Sequence, residues 1–143
     1  MVRSVFPHIA GAVAMTLFPL AASAAELTVR VTGIADKAGA IHVYVFTSAE
    51  GFPKEENAAV HVSRAVPDGT QLDMVVQVPD APAYALMAYQ DKNGDGKMNR
   101  FLGMIPQEPY AMSRNPDVMG KPKFSETSVQ PANGEAIVMK LRD

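Results

Sequence analysis

Apolar and polar positions alternate with a period of two along most of this chain. Leu27, Val29 and Val31 alternate with Glu26, Thr28, Arg30 and Thr32, the pattern of a strand buried on one face. Ile41, Val43 and Val45 alternate with His42, Tyr44 and Phe46 and predict a second strand. It is expected to be a hairpin partner of the first, across Asp36-Lys37-Ala38-Gly39. Val60, Val62 and Val66 predict a third strand with a charged break at Arg64. After the turn signal Pro67-Asp68-Gly69, Leu72, Met74, Val76 and Val78 predict a fourth. Residues 83–89 are apolar on both faces, as a central buried strand requires. Residues 124–130 predict a further strand. Ile137, Met139 and Leu141 predict the last one, after an Asn133-Gly134 hairpin turn. No amphipathic helix of useful length is present. The expected fold class is all-β: an antiparallel immunoglobulin-like β-sandwich of about seven strands. A small barrel is the alternative.

The N-terminus reads differently. Arg3 is the only charge before Glu26, an apolar run follows it, and the stretch ends in Ala22-Ser23-Ala24. That is a secretory signal peptide over residues 1–24. Pro7 and Pro19 break the run, so it does not read as a spanning helix, which needs about 20 uninterrupted apolar residues. Residues 25–143 are then a single domain without a membrane span, expected in the periplasm or outside the cell. The chain of 143 residues has no cysteine, which excludes disulfides, thiolate metal sites, a cysteine nucleophile and a lipoprotein anchor. A hydrophobic fraction of 48% with 20% charged residues suits a globular protein. The formal net charge of −2 gives no basic footprint for nucleic acid.

Residues 90–122 carry no sustained period and are expected to be one long irregular loop. Loops beyond about 12–15 residues are uncommon in compact domains unless they have a function. This one contains Phe101, Leu102, Met104, Ile105, Tyr110 and Met112, which need something to pack against. It opens with Asp91-Lys92-Asn93-Gly94-Asp95-Gly96-Lys97-Met98-Asn99, the first half of a calcium loop. Calcium takes about six to eight hard oxygens. Asp91, Asn93 and Asp95 would supply side-chain oxygens, Lys97 its backbone carbonyl, and Asn99 an oxygen or a bound water. Gly96 permits the sharp turn. The bidentate glutamate of an EF-hand is replaced by Leu102 and the motif follows a strand, so an EF-hand is excluded. Glu108 is the nearest carboxylate to complete a shell. The competing reading is an Asx-rich turn whose side chains bond their own backbone.

The Asp91–Asn99 run, Leu102-Gly103, Pro106-Gln107-Glu108, Tyr110-Ala111-Met112-Ser113 and Pro122-Lys123-Phe124 together closely resemble a secreted bacterial family. It is known as domain of unknown function 2141. The resemblance extends from about residue 27 to residue 141. It implies export and a β-sandwich, and it implies no known activity.

Other constellations change the picture less. Met98, Met104, Met112 and Met119 fall in the same loop; thioethers suit copper(I), but methionine also fills irregular gaps under loops. His42 and His61 sit at polar phases of their strands and would share a face only if those strands were neighbours. Tyr44, Phe46, Tyr84 and Tyr89 offer an aromatic face for sugars or lipids, or simply core. The leading function class is an exported, non-enzymatic binding or accessory module, with the long loop presenting a surface to a small ligand or an envelope protein. The alternatives are an envelope-associated enzyme using Asp91, Asp95 or Glu108, and a purely structural interaction domain.

Overall fold

A computed structural model describes residues 23–117 and 120–143. All but the last two residues of the expected signal peptide lie outside the described residues, as does Met119. The chain forms an all-β sandwich. One sheet has three strands in the order β4 (Gln71–Pro79), β1 (Ala24–Thr32), β9 (Ala136–Lys140). The other has four, in the order β3 (Val60–Ala65), β2 (Ala40–Phe46), β5 (Ala85–Asp91), β8 (Tyr110–Met112). A short hairpin, β6 (Arg100–Phe101) and β7 (Ile105–Pro106), stands apart from both.

The alternation on the strands sets the layer between the sheets. Val29 pairs with Met74 on one side and Ile137 on the other. Across the second sheet Val62, Val43, Ala88 and Ala111 stand in one row. These two inner faces, with Val31, Ile41, Val45, Val76, Leu86 and Met139, form the main core. Strand β5 is buried along its whole length, as a central strand should be.

The structure departs from the sequence pattern at four places. Strand β1 is not a hairpin partner of β2; it pairs antiparallel with β4 and parallel with β9. The connection between β1 and β2 passes from one sheet to the other. Buried Ile34 anchors it, and Gly39 has φ of 78° where a Cβ would meet the Asp91 carbonyl oxygen at 1.7 Å. An immunoglobulin constant domain places its first strand beside its second; here the first lies between the fourth and the last. Residues 124–130 form a single helical turn, α1 (Phe124–Thr127), followed by a bridge of Val129 to Tyr84. The Ser113 hydroxyl accepts from the Leu86 N–H and donates to the Thr127 carbonyl, which ties this turn to β5. Asn133-Gly134 is a turn, but the strand that follows runs parallel to β1 and closes no hairpin. Lastly, residues 90–122 are not one irregular loop. They hold the end of β5, the β6–β7 hairpin and β8, whose two or three residues are too few to show a period.

The two faces predict different mutational costs. Leu86→Ala empties a fully buried position between the sheets and should destabilise the fold by about 2–5 kcal/mol in urea unfolding. Val75→Ala, at a side 53% exposed on β4, should change stability by no more than about 0.5 kcal/mol.

Candidate functional site

Strand β2 is buried in both phases, so the four-stranded sheet is apolar on its outer face too. There Tyr44, Phe46, Met87, Tyr89 and Met112 form a second cluster. Three pieces of irregular chain roof it: Phe52 from the β2–β3 connection, Met98 from the segment after β5, and Phe124 of α1. Phe46 meets Phe52 edge to face at 5.0 Å, and Phe52 meets Phe124 likewise at 5.9 Å. The aromatic residues Tyr44, Phe46 and Tyr89 are therefore covered core. Tyr84 belongs to the inter-sheet layer, where its hydroxyl accepts from the Ala81 N–H and donates to the Pro79 carbonyl.

The Asp91–Asn99 turn leaves the edge of this face. Asp91 closes β5 and is buried; its Oδ1 accepts from the Gly94 N–H and its Oδ2 from the Gly96 N–H, each at 2.8 Å. Asn93 Oδ1 accepts from the Asp95 N–H. Asp95 Oδ1 accepts from the Lys97 N–H, and its Oδ2 accepts from the side-chain amides of Asn93 and Asn99. These bonds, the Asn99 amide first, hold the Asp95 carboxyl below its ordinary value. Glu108 returns from nine residues beyond Asn99 and is buried. Its two oxygens accept from the Lys92 and Asn99 N–H groups at 3.0 and 3.1 Å, stapling the two ends of the turn. The Asn99 carbonyl in turn accepts from the Gln107 N–H. The structure thus brings Glu108 together with Asp91, Asn93, Asp95, Lys97 and Asn99 in one hydrogen-bonded turn. Every oxygen of Asp91, Asp95 and Glu108 already accepts an N–H. Each of these oxygens keeps a further lone pair, so a cation there would share them with the amides.

The neighbouring chemistry was barely visible in the sequence. Strands β2 and β3 are neighbours, so His42 and His61 do share a face. His42 Nδ1 lies 2.9 Å from His61 Nε2, with the ring planes within 12° and the centroids 5.1 Å apart. The rings are end to end and nearly coplanar, so one nitrogen must donate and the other accept. Asp91 Oδ2 lies 3.5 Å from the other nitrogen of His42, which is buried. Tyr44 stacks on His61 at 4.2 Å and Tyr89 on His42 at 4.9 Å. Burial, and after it the adjacent His42, hold the His61 imidazole below its ordinary value. Burial pushes the Tyr89 phenol up, and its hydroxyl has no hydrogen-bond partner among the described residues.

Beside this polar row the roof leaves a recess of about 580 Å³. Met87, Met98, Met112 and Tyr110 are in its wall, with Met104 at the hairpin. Three of the four methionines noted in the loop thus share one recess with Met87 of β5. Lys54, Arg100, Lys121 and Arg142 also line it, against Glu55 and Glu56. Arg100 pairs with Glu55 at 3.4 Å. No residue of the acidic turn lines this recess apart from its apolar member Met98. The sequence signal for it was the doubly apolar β2, which demands a second cover.

The staple can be tested directly. Glu108→Gln places an NH2 against one of two backbone donors and should cost about 1–3 kcal/mol. The Lys92 and Asn99 amides should then exchange with solvent faster than in the unsubstituted protein. Unchanged exchange at both amides would show that Glu108 does not hold the turn.

Comparison with known proteins gives a family and little else. No curated protein matches the chain, and no solved structure does. The profile of a bacterial family described as "Uncharacterized protein conserved in bacteria (DUF2141)" matches residues 29–138. That span covers the four-stranded sheet, most of the three-stranded one, the Asp91–Asn99 turn and the roof over the outer face, and the chain belongs to this family.

Proposed function

We propose that this is an exported, non-enzymatic binding module that holds a small amphipathic ligand in the recess on the outer face of the four-stranded sheet. The observation that carries the reading is the recess itself. Its volume lies within the range of about 300–1,000 Å³ usual for ligand sites. Methionine side chains make its wall apolar and adaptable to irregular ligand shapes. Four cations against two carboxylates at its edge suit a ligand with an apolar body and an anionic head. The long connection that the sequence marked as functional is what walls it. Catalysis by the loop carboxylates has less support, because Asp91 and Glu108 are buried and bonded to backbone N–H groups.

Dodecanoate, an apolar chain with a carboxylate head, is a suitable probe. Titration calorimetry should show saturable one-to-one binding with a negative heat-capacity change. Met104→Glu, at an exposed position on the recess wall, should weaken it about tenfold or more, which is about 1.4 kcal/mol. Absence of saturable binding by a natively melting protein would sink the reading.

For the Asp91–Asn99 turn we favour closure by its own amides over a calcium ion. What supports this is that six carboxylate oxygens all have N–H donors. The melting temperature should then be the same in EDTA and in millimolar calcium. A ligand that binds only the folded state must raise it. A calcium-dependent rise that disappears in Asp95→Ala would restore the ion.

A further inference from the structure

Phe101, Leu102, Met104 and Ile105 surround the tip of the β6–β7 hairpin and are 54%, 75%, 75% and 59% exposed. Among the described residues the other exposed large apolar ones, Val75 and Val138, are single side chains on the far sheet. Four such residues within five positions are a patch, and patches of this kind mark interaction surfaces. The tip is held out by its own bonds. Phe101 pairs with Ile105, the Met104 N–H donates to the Phe101 carbonyl, and Gln107 N–H to Asn99 closes the root. Leu102 takes φ of 52°, a region few non-glycine residues enter, with Gly103 at 73° completing the turn. The root is fixed by buried Met98 and by the Glu108 staple.

We propose that this hairpin docks the protein on the surface of an anionic lipid bilayer. The tip is small, and each of its four apolar side chains is more than half exposed. A protein partner would need a matching site and an interface of about 1,000 Å² or more. An acyl boundary accepts a small apolar tip with no such match. The charge around the tip has the required sign. Lys97 and Arg100 flank it, and residues 96–107 contain no acid. Behind it the recess carries Lys54, Lys121 and Arg142 besides Arg100, offset by Glu56, by Glu55 paired with Arg100, and by Asp117 paired with Arg142. The whole chain is at −2, so the cation excess on this face is local. Cations beside an apolar tip would meet lipid phosphates as the side chains enter the interface.

This inference goes beyond the ligand reading and does not depend on it, since neither Leu102 nor Ile105 lines the recess. The test is flotation of the chain from residue 25 onward with vesicles of phosphatidylcholine, alone or with about one third phosphatidylglycerol. The wild type should float with the phosphatidylglycerol vesicles, more weakly as salt is raised. The double variant Leu102→Glu/Ile105→Glu should lose at least tenfold in bound fraction while keeping its melting temperature and its dodecanoate binding. No flotation of the wild type at low salt would overturn the proposal. So would equal flotation of the double variant, or equal binding to both kinds of vesicle. Hairpin-dependent self-association in sedimentation, without vesicle binding, would overturn it in favour of a second copy as the partner.

Discussion

The constraint on which this structure depends is that β2 and β5 are buried on both faces. In a two-sheet sandwich only one face of each sheet meets the other sheet. Ile41, Val43 and Val45 face inward and meet that need. Tyr44 and Phe46 face outward and would be left in water, together with Met87 and Tyr89 of β5. The chain resolves this by folding its irregular segments over the outer face. That is why the stretch after β5 is rich in apolar residues yet has no strand or helix period. It also explains why α1 lies where it does, with Phe124 closing the aromatic contact begun by Phe46 and Phe52.

A roof made of irregular chain carries many backbone polar groups, and each buried one needs a partner. The carboxylates of the Asp91–Asn99 region meet this demand. Asp91 ends β5 and takes two N–H groups of the turn that leaves it. Glu108 takes one from each end of the same turn. A buried carboxylate is costly unless it is hydrogen-bonded, so the acids and the amides stabilise one another. The hairpin then springs from a fixed root. The same Asp91 lies beside His42, whose far nitrogen meets His61, so the turn is joined to a polar row across β5, β2 and β3.

Much of this was legible in the sequence, and what was not has a physical cause. Strands β1 to β4 announced themselves through a period of two and β5 through a full apolar run, each having five or more residues. The last strand did so as well. Strand β8 did not, because three residues cannot establish a period and its Tyr110 and Met112 are apolar outward for the sake of the roof. Residues 124–130 offered only Phe124 and Val129 as apolar anchors, and Ser113 pulled the intervening chain into a helical turn. Pairing partners were the weakest part of the reading. Alternation says which face is buried and not which strand lies alongside, so β1 was matched with β2 although Gly39 and Ile34 carry the chain to the opposite sheet. The acidic turn was found through its residue types. The histidine pair is legible only on the condition that β2 and β3 are neighbours, and its contact follows from the register that sets Tyr44 opposite His61.

The binding role proposed for the recess follows from the same accounting. Among the described carboxylates near the outer face, the buried ones are bonded to backbone N–H groups and Asp95 is bonded by amides at the surface. The imidazoles share one contact, His42 buried against Tyr89 and His61 exposed beside Tyr44. What remains open to a ligand is the unfilled part of the roof, where flexible thioethers replace the rings that seal the rest of the face. The sealed half gives the sheet its stability, and the unsealed half leaves a surface whose chemistry is apolar contact bordered by cations.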